Sequence, residues 1–149
     1  MTAETELMLF SASRAQLVRE KIFPALMREE IVLCDRFMDS TMVYQGFARG
    51  LDLSFIAKLN QFVVGRKPDL TVFLDVDPKL GLLRARKKTK TADRMEAQSG
   101  LFYKTVCQGF YKLARLDPYR IKKVDASQTI SETAKTIWKF VEPRLSTII

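Results

Sequence analysis

Three short apolar runs, each ending at an aspartate, constrain the fold of this chain more than any other sequence feature. The runs are residues 31–34, 70–74 and 121–124, followed by Asp35, Asp75 and Asp125. Segments of helical periodicity separate them, which is typical of buried parallel strands that alternate with helices. We therefore expect an α/β fold, a parallel sheet with helices on both faces, and the three aspartates together at the carboxyl ends of the strands.

Periodicity and capping residues predict the helices. They span residues 5–28, 52–64, 78 to about 88, about 97–116, and 131 to about 141. Pro24 predicts a kink or a restart in the first helix. Asp52 and Gly65 are placed to cap the second, and Asp77 with Pro78 begins the third. No linker or repeat divides the sequence, so residues 1–149 are interpreted as a single domain.

Composition excludes several kinds of function. Histidine is absent, which rules out Ser/His/Asp and Cys/His triads, histidine zinc sites and histidine general bases. Lys plus Arg is 25 against 17 Asp plus Glu, and the net charge of +8 indicates anionic partners: nucleotides, nucleic acid or a lipid surface. Cys34 and Cys107 form no CxxC pair, and Glu4 and Glu6 give the wrong charge for a signal or transit peptide. We expect a cytoplasmic protein that is not associated with a membrane.

Phe10 and Arg14 lie four residues apart on the first predicted helix, so they share a face. The ring of Phe10 can stack on a base. The guanidinium of Arg14 is a donor only, so it favours a carbonyl at the pyrimidine 4-position over an amino group. Such a pair would distinguish thymine or uracil from cytosine. The alternative is that Phe10 belongs to the core and Arg14 is solvated.

Asp35 and Arg36 leave the end of the first predicted strand together. A carboxylate there can hold hydrated Mg²⁺, and an arginine can grip a phosphate through two parallel hydrogen bonds, although the pair can equally cap a strand end. A polar and aromatic cluster follows, which suits either a nucleoside pocket or an ordinary loop: Ser40, Thr41, Tyr44, Gln45 and Gly46.

The densest basic run consists of Arg84, Arg86, Lys87, Lys88, Lys90 and Arg94. We interpret it as a cationic flap that closes over phosphates, excludes water and places positive charge where phosphoryl transfer develops negative charge. A solvated loop and a nucleic-acid contact are the alternatives, although no aromatic residue is interleaved for base stacking. Glu96 beside the run would position Arg94 or a metal, or balance charge.

Taken in order, these segments resemble the thymidylate kinase family, P-loop enzymes that phosphorylate dTMP with ATP. The matching stretches are residues 10–16, 32–37, 40–46, 67–75, 93–96 and 124–126. Each is weak alone, whereas the ordered set is specific and spans nearly the whole chain. The resemblance implies a three-layer, P-loop nucleoside-monophosphate-kinase-like fold with a dTMP-binding region at residues 5–66. It also implies a bacterial-type LID with arginines at about residues 84–96.

The resemblance also implies roles for individual residues around dTMP. Phe10 would stack on thymine, Arg14 would bond its 4-carbonyl, and Ser40 or Thr41 would reach the base from the other side. Tyr44 would pack against the deoxyribose.

The phosphate chemistry would fall to a second group of residues. Arg36 and Gln45 would bind near the dTMP phosphate, and Asp35 would hold Mg²⁺ through a water molecule. The arginines that would act in catalysis are Arg36, Arg84, Arg86 and Arg94. A homodimer through helices such as residues 52–64 is common in this family.

One part of the family pattern is missing from the 149 residues. No G-x-x-x-x-G-K-[ST] P-loop occurs, since Gly46, Gly50 and Gly65 lie far apart, and the family's Arg-Glu-Pro-Gly turn is also absent. In the family, the P-loop strand lies in the sheet between the strands that correspond to residues 31–34 and 70–74. This central strand is therefore expected to be lacking, which leaves backbone N–H and C=O groups of the neighbouring strands unpaired. We expect an N-terminally truncated or split thymidylate kinase that is poorly stable unless another polypeptide fills the gap.

Other interpretations remain open at this point. A degenerate nucleotide-binding or partner module would keep the fold without the chemistry, and a nucleic-acid binder would use the basic run. A deoxynucleoside kinase would also place an acidic residue and an arginine after a strand. The pair Phe10 and Arg14, together with residues 40–46, favours the monophosphate enzyme.

We predict that the purified 149-residue chain forms no dTDP from dTMP and ATP, because no P-loop is available to hold the donor phosphates. The measurement is chromatographic detection of dTDP with Mg²⁺ present, and a thymidylate kinase that carries a P-loop is the positive control. ATP-dependent dTDP formation by this chain alone would refute the prediction.

Overall fold

A computed structural model describes residues 1–88 and 100–145, which form seven α-helices and two β-strands in two compact units, Met1–Lys67 and Pro68–Ile149. The helices are α1 (Ala3–Leu17), α2 (Phe23–Met27), α3 (Met38–Thr41), α4 (Leu53–Val64), α5 (Pro78–Lys88), α6 (Gly100–Leu116) and α7 (Ile130–Leu145). The strands are β1 (Thr71–Asp75) and β2 (Ile121–Asp125). The single domain expected from the sequence stays a prediction.

The first predicted helix is confirmed, and Pro24 shapes its second half. The hydroxyl of Thr2 caps α1 by accepting a hydrogen bond from the Thr5 N–H at 3.2 Å. A π-helical turn at Val18–Ile22 then leads into α2, and the Phe23 N–H bonds to the Val18 carbonyl. Because proline has no N–H and its ring clashes with the carbonyl four residues earlier, the wider turn accommodates Pro24. The restart predicted at Pro24 is therefore observed.

Packing of α1 on α4 forms the core of the unit Met1–Lys67. Leu7 of α1 and Ile56 of α4 are buried, together with Val43. Both helix ends predicted for α4 are confirmed. The Asp52 carboxylate accepts a hydrogen bond from the Phe55 N–H at 2.5 Å, and Gly65 ends the helix with a φ of 72° that glycine adopts readily.

The strand predicted at residues 31–34 does not form, so that prediction is wrong. A β-strand requires a neighbouring backbone to complete its hydrogen bonds, and within the described residues only β1 and β2 pair with each other. The side chains of Ile31 and Leu33 are 67% and 94% exposed. Residues 31–34 are apolar as a buried strand would be, but among the described residues no strand lies beside them.

Residues 40–46 are helical, which excludes the alternative of an ordinary loop. Helix α3 passes directly into a π-helical stretch, Met42–Ala48, which ends where the Arg49 N–H bonds to the Tyr44 carbonyl at 3.1 Å. Gly46 lets this stretch approach α4 closely, since a Cβ at that position would overlap the Leu53 side chain and lie 3.3 Å from Ile56. The glycine is therefore required for packing rather than for a turn.

In the unit Pro68–Ile149, the two predicted strands form a parallel pair. Their register runs from Thr71 opposite Ile121 to Asp75 opposite Asp125. Helix α6 packs against the pair, and the ring of Phe73 stacks on Phe110 at 5.0 Å between centroids. A parallel pair joined through helices confirms the expected α/β class.

The cap predicted for α5 is confirmed, and α7 has a cap that the sequence analysis did not name. Asp77 accepts hydrogen bonds from the backbone N–H groups of Lys79 and Leu80 at the start of α5. Thr129 and Glu132 form a reciprocal capping box at the start of α7. The part of the predicted fourth helix at 97–99 lies outside the described residues. None of the helices described is both long and apolar enough to cross a membrane.

We predict that Ser11→Ala stabilises the protein. Among the described residues, the buried Ser11 hydroxyl has no hydrogen-bond partner, and a buried unpaired polar group costs about 1–3 kcal/mol. Alanine is also the better helix former. The free energy of unfolding, measured by urea denaturation, should rise by about 1 kcal/mol or more.

The matched control is Ser13→Ala, an exposed position on the same helix that gains only a few tenths of a kcal/mol from helix propensity. Equal gains for the two variants would show that the Ser11 hydroxyl is satisfied in solution.

Candidate functional site

Arg14 is held at a fixed place in the unit Met1–Lys67 by α4 and by the start of α3. Its Nη1 and Nη2 lie 3.4 Å from the Asn60 Oδ1 and the Phe37 carbonyl, and its Cζ lies 5.7 Å from the Phe37 ring centroid. Burial lowers the pKa of Arg14 below its ordinary value, because desolvation disfavours the charged form. Arg14 is therefore an oriented cation rather than a solvated side chain.

Asn60 supports Arg14, and the sequence analysis did not single it out. Its side chain is 1% exposed, and its Nδ2 donates to the Met38 carbonyl at 3.2 Å, which leaves the Oδ1 facing Arg14. The available signal was an asparagine inside the apolar stripe of α4, between Ile56 and Val63. A polar residue at such a position needs a partner.

Phe10 lies one helical turn before Arg14 and is 53% exposed. The alternative that Phe10 belongs to the core is therefore wrong. An accessible aromatic ring and a half-buried guanidinium share one helix. This pair has the chemistry needed to stack a flat ring and to donate hydrogen bonds to its edge.

Arg36 and Tyr44, predicted for the phosphate and the sugar, are brought together. The Arg36 Cζ lies 4.9 Å from the centroid of the Tyr44 ring, a cation–π contact. Arg36 has a φ of 60°, in the left-handed region that is unfavourable for a residue with a side chain. Backbone strain of this kind costs roughly 1–3 kcal/mol and persists only where the surroundings impose it. Arg36 is thus exposed but placed by specific contacts.

The other predicted ligands of the nucleotide have different environments. Ser40 is half-buried, whereas Thr41 and Gln45 are 2% and 3% exposed. The side-chain amide of Gln45 donates to the Glu6 carboxylate at 2.9 Å. The structure therefore does not bring Gln45 to the surface where Arg36 lies, and the nucleotide contacts of these residues stay predictions.

Asp35 is an exposed carboxylate next to Arg36. It lines a cavity of about 390 Å³ together with Leu17, Lys21 and other residues of the helical stretch and of residues 31–34. Over residues 1–88 and 100–145, no group of three or more acidic or cysteine side chains forms a metal cluster. A single carboxylate nevertheless fits Mg²⁺, which keeps most of its water and is completed by substrate phosphates.

Asp75 and Asp125 meet at the carboxyl ends of β1 and β2, as predicted, whereas Asp35 belongs to the other unit. The Asp75 carboxylate accepts a hydrogen bond from the Tyr111 hydroxyl at 2.6 Å and lies 3.4 Å from the Lys123 Nζ. Hydrogen bonding to Asp75 raises the pKa of Tyr111 to about 12. Both oxygens of Asp75 are engaged by protein groups.

The basic run is described only in part. The guanidinium of Arg84 donates to the carbonyls of Ala126 and Ser127, at 2.5 and 2.9 Å, just after β2. Arg86 lies on α5. Arg94 and Glu96 lie outside the described residues. The catalytic roles predicted for Arg84, Arg86 and Arg94 therefore stay predictions.

The parallel strand pair with its connecting helices defines an α/β protein. In the other unit, Phe10 and Arg14 have the chemistry to meet a flat ring, and Arg36 has the chemistry to meet an anion. The thymidylate kinase family model matches residues 1–137. The chain therefore belongs to the thymidylate kinase family. This confirms the resemblance inferred from the ordered motifs.

Individual relatives agree with this assignment. The thymidylate kinase of Synechococcus sp. (strain JA-2-3B'a(2-13)) is 45% identical over 141 residues, which cover 94% of this chain and 66% of the relative. That of Anoxybacillus flavithermus (strain DSM 21510 / WK1) is 41% identical over 145 residues, covering 96% and 69%. The chain thus spans about two thirds of the length of these curated relatives.

A solved structure is also similar. The crystal structure of thymidylate kinase from Ehrlichia chaffeensis matches with a TM-score of 0.75 and 33% identity, over 95% of this chain and 66% of that one. The similarity confirms the predicted P-loop nucleoside-monophosphate-kinase-like fold class.

We predict that the phenol of Tyr111 ionises with a pKa of about 12. Because the folded-state pKa is raised, the hydrogen bond to Asp75 stabilises the fold fully below the unfolded pKa of about 10, and this stability is lost as the pH rises through about 12. Ultraviolet titration of phenolate should show a step near pH 12 that Tyr111→Phe removes. The control Tyr119→Phe, at an exposed tyrosine, should leave it unchanged. A step that survives Tyr111→Phe would contradict the assignment.

Proposed function

We propose that the chain supplies the dTMP-binding residues of a thymidylate kinase, the enzyme that transfers the terminal phosphoryl group of ATP to dTMP and yields ADP and dTDP for dTTP synthesis. The 149 residues contain no P-loop, so the chain alone is expected to bind dTMP without transferring phosphate. Family membership supports the reaction class. The observation that carries the substrate assignment is the exposed ring of Phe10 one turn from Arg14, whose guanidinium is held by Asn60 and Phe37.

The base is selected by the donors of Arg14. With Phe10 stacked on the pyrimidine, the remaining N–H groups of Arg14 face the 4-position of the ring. A carbonyl there, as in thymine, accepts a hydrogen bond. An amino group, as in cytosine, leaves two donors facing each other in a half-buried place, which is unfavourable. The polar partner Asn60 keeps the guanidinium from turning away.

The phosphate of dTMP is held by Arg36. Its Cζ lies 4.9 Å from the centroid of the Tyr44 ring, and its exposed N–H groups are proposed to form two parallel hydrogen bonds to phosphate oxygens. Tyr44 packs against the deoxyribose on the same side, and Ser40 or Thr41 approaches the base. Gln45 contributes near the phosphate only through the residues that it supports.

The reaction needs no general base, which agrees with the lack of histidine. The acceptor is a phosphate monoester with a second pKa near about 6, so it is already ionised at neutral pH. Asp35 would hold Mg²⁺ through water. When bound, Mg²⁺ neutralises charge on the phosphates. The chain's own contribution is to position dTMP through Arg14 and Arg36 and to supply arginine charge from the LID.

ATP is the phosphoryl donor in this proposal, and dTMP and ATP are the partners. A homodimer remains a proposal too, and it is supported by Phe55 and Phe62, two exposed aromatic side chains seven residues apart on one face of α4. A cytoplasmic location is proposed from the reducing environment that the two free cysteines fit.

Titration of nucleotides tests the substrate assignment without requiring turnover. By isothermal calorimetry, the wild-type chain should bind dTMP roughly tenfold or more tightly than dCMP, and Arg14→Ala should erase the difference, since one hydrogen bond to a charged group is worth about 1.5–3 kcal/mol. The matched control is Arg19→Ala, at an exposed arginine that the same helical stretch carries.

Two outcomes would contradict the proposal. One is equal affinity of the wild-type chain for dTMP and dCMP. The other is a preference for dTMP that survives Arg14→Ala. The nucleic-acid alternative would be favoured instead if the chain binds oligonucleotides tightly, if that affinity falls steeply with salt, and if added dTMP has little effect on it.

A further inference from the structure

A buried ionic cluster lies between α1 and the stretch Met42–Ala48, and two of its members, Glu6 and Arg49, have no role in the proposed reaction so far. The Oε1 of Glu6 accepts hydrogen bonds from the Gln45 Nε2 at 2.9 Å and from the Arg49 Nε at 3.0 Å, while its Oε2 accepts from the Arg49 Nη2 at 3.3 Å. Glu6 and Gln45 are both buried. A carboxylate removed from water in this way is stable only with such partners, so the three side chains form one unit.

The cluster is connected to Tyr44 through the backbone. Arg49 binds at both ends, because its side chain donates to Glu6 while its N–H donates to the Tyr44 carbonyl at 3.1 Å. The next residue of the stretch, Gln45, is tied to Glu6 by its amide, and its carbonyl accepts the Leu51 N–H at 3.2 Å. Tyr44 is therefore connected to one carboxylate through two residues that follow it in the chain, Gln45 and Arg49.

Tyr44 in turn supports Arg36, whose Cζ lies 4.9 Å from the ring centroid. Arg36 has the left-handed backbone conformation noted above, which only its surroundings can maintain. The π-helical stretch under Tyr44 is an uncommon conformation and needs support for the same reason. The contacts thus run without a gap from the Glu6 carboxylate through Arg49 and Tyr44 to Arg36.

We propose that Glu6 is a positioning residue for nucleotide binding: its buried carboxylate, through Arg49 and Gln45, sets Tyr44 beneath Arg36 and so orients the arginine that receives the dTMP phosphate. The proposal rests on the proposed function for the identity of the ligand. It assigns Gln45 an indirect role, in which the amide binds Glu6 rather than the phosphate. Glu6 itself touches no substrate.

The test is a double-mutant cycle on dTMP affinity, measured by calorimetry. In Glu6→Gln, one carboxylate oxygen is replaced by an NH2 group that faces a donor of Arg49 or Gln45, and the negative charge that pairs with Arg49 is lost. We expect dTMP binding to weaken roughly tenfold, within the range for residues that share one hydrogen-bond network. In a Tyr44→Leu background, the same substitution should weaken binding by less than about threefold, because the ring through which Glu6 acts is gone.

The control and a second variant keep the test decisive. Glu20→Gln removes an exposed carboxylate of the same helical stretch, bonded to Gln16, and should leave affinity unchanged. Should Glu6→Gln fail to fold by circular dichroism, Arg49→Lys keeps the charge but loses the two-point contact, and the same non-additivity with Tyr44→Leu is expected. An equal loss in both backgrounds, or no loss, overturns the proposal.

A second readout separates this inference from the proposed function. If the wild-type chain binds no dTMP, the proposed function fails, and the inference is judged from ¹⁹F NMR of protein labelled with 3-fluorotyrosine. The Tyr44 resonance, assigned with Tyr44→Phe, should shift in Glu6→Gln towards its position in Arg36→Ala and stay in place in Glu20→Gln. A Tyr44 resonance that Glu6→Gln does not move refutes the positioning role.

Discussion

Buried carboxylate and amide side chains need hydrogen-bond partners, and in the unit Met1–Lys67 this constraint decides how the helices are aligned. Glu6, Gln45 and Asn60 are buried among Leu7, Val43 and Ile56. Apolar packing alone would tolerate small shifts of α1 along α4, since it has no direction. A carboxylate with three hydrogen bonds does not tolerate them, because an unpaired buried charge is far more costly than an imperfect apolar contact. The same alignment brings Arg14 to Asn60.

The chemistry proposed for the chain follows from cations that are oriented rather than merely present. Many of its 25 lysines and arginines are surface charges that any anion could meet. Arg14 and Arg36 differ because an amide, a carbonyl and a ring contact the Arg14 guanidinium and the Tyr44 ring contacts that of Arg36. A planar donor held in one orientation discriminates between a carbonyl and an amino group, whereas a mobile one does not. For a phosphate acceptor that is already ionised, such orientation and charge are the principal requirements.

Local signals in the sequence predicted most helix boundaries and both strands that form. Asp52 and Asp77 act as caps where the pattern placed them, because capping depends on only three or four neighbouring residues. Thr2 caps α1 in the same local way. The prediction of a strand at residues 31–34 was wrong for the opposite reason, because a strand forms only when the backbone of a segment distant in sequence pairs with it. The helical form of residues 40–46 also escaped prediction, because Gly46 suggests a loop and its actual role, a close approach to Leu53 and Ile56, depends on packing against α4.

The sequence by itself determined the α/β class, the family, and the pairing of Phe10 with Arg14 on one helix, because each depends on spacing along the chain or on an ordered set of motifs. Only the tertiary structure decided which residues hold those side chains in place. Asn60 and Phe37 lie 46 and 23 residues from Arg14, which they contact, and Arg49 lies 43 residues from Glu6. Nothing in the local sequence pattern specifies those contacts. Contacts of this kind arise when separate helices pack together, and packing is set by the shape and polarity of whole surfaces.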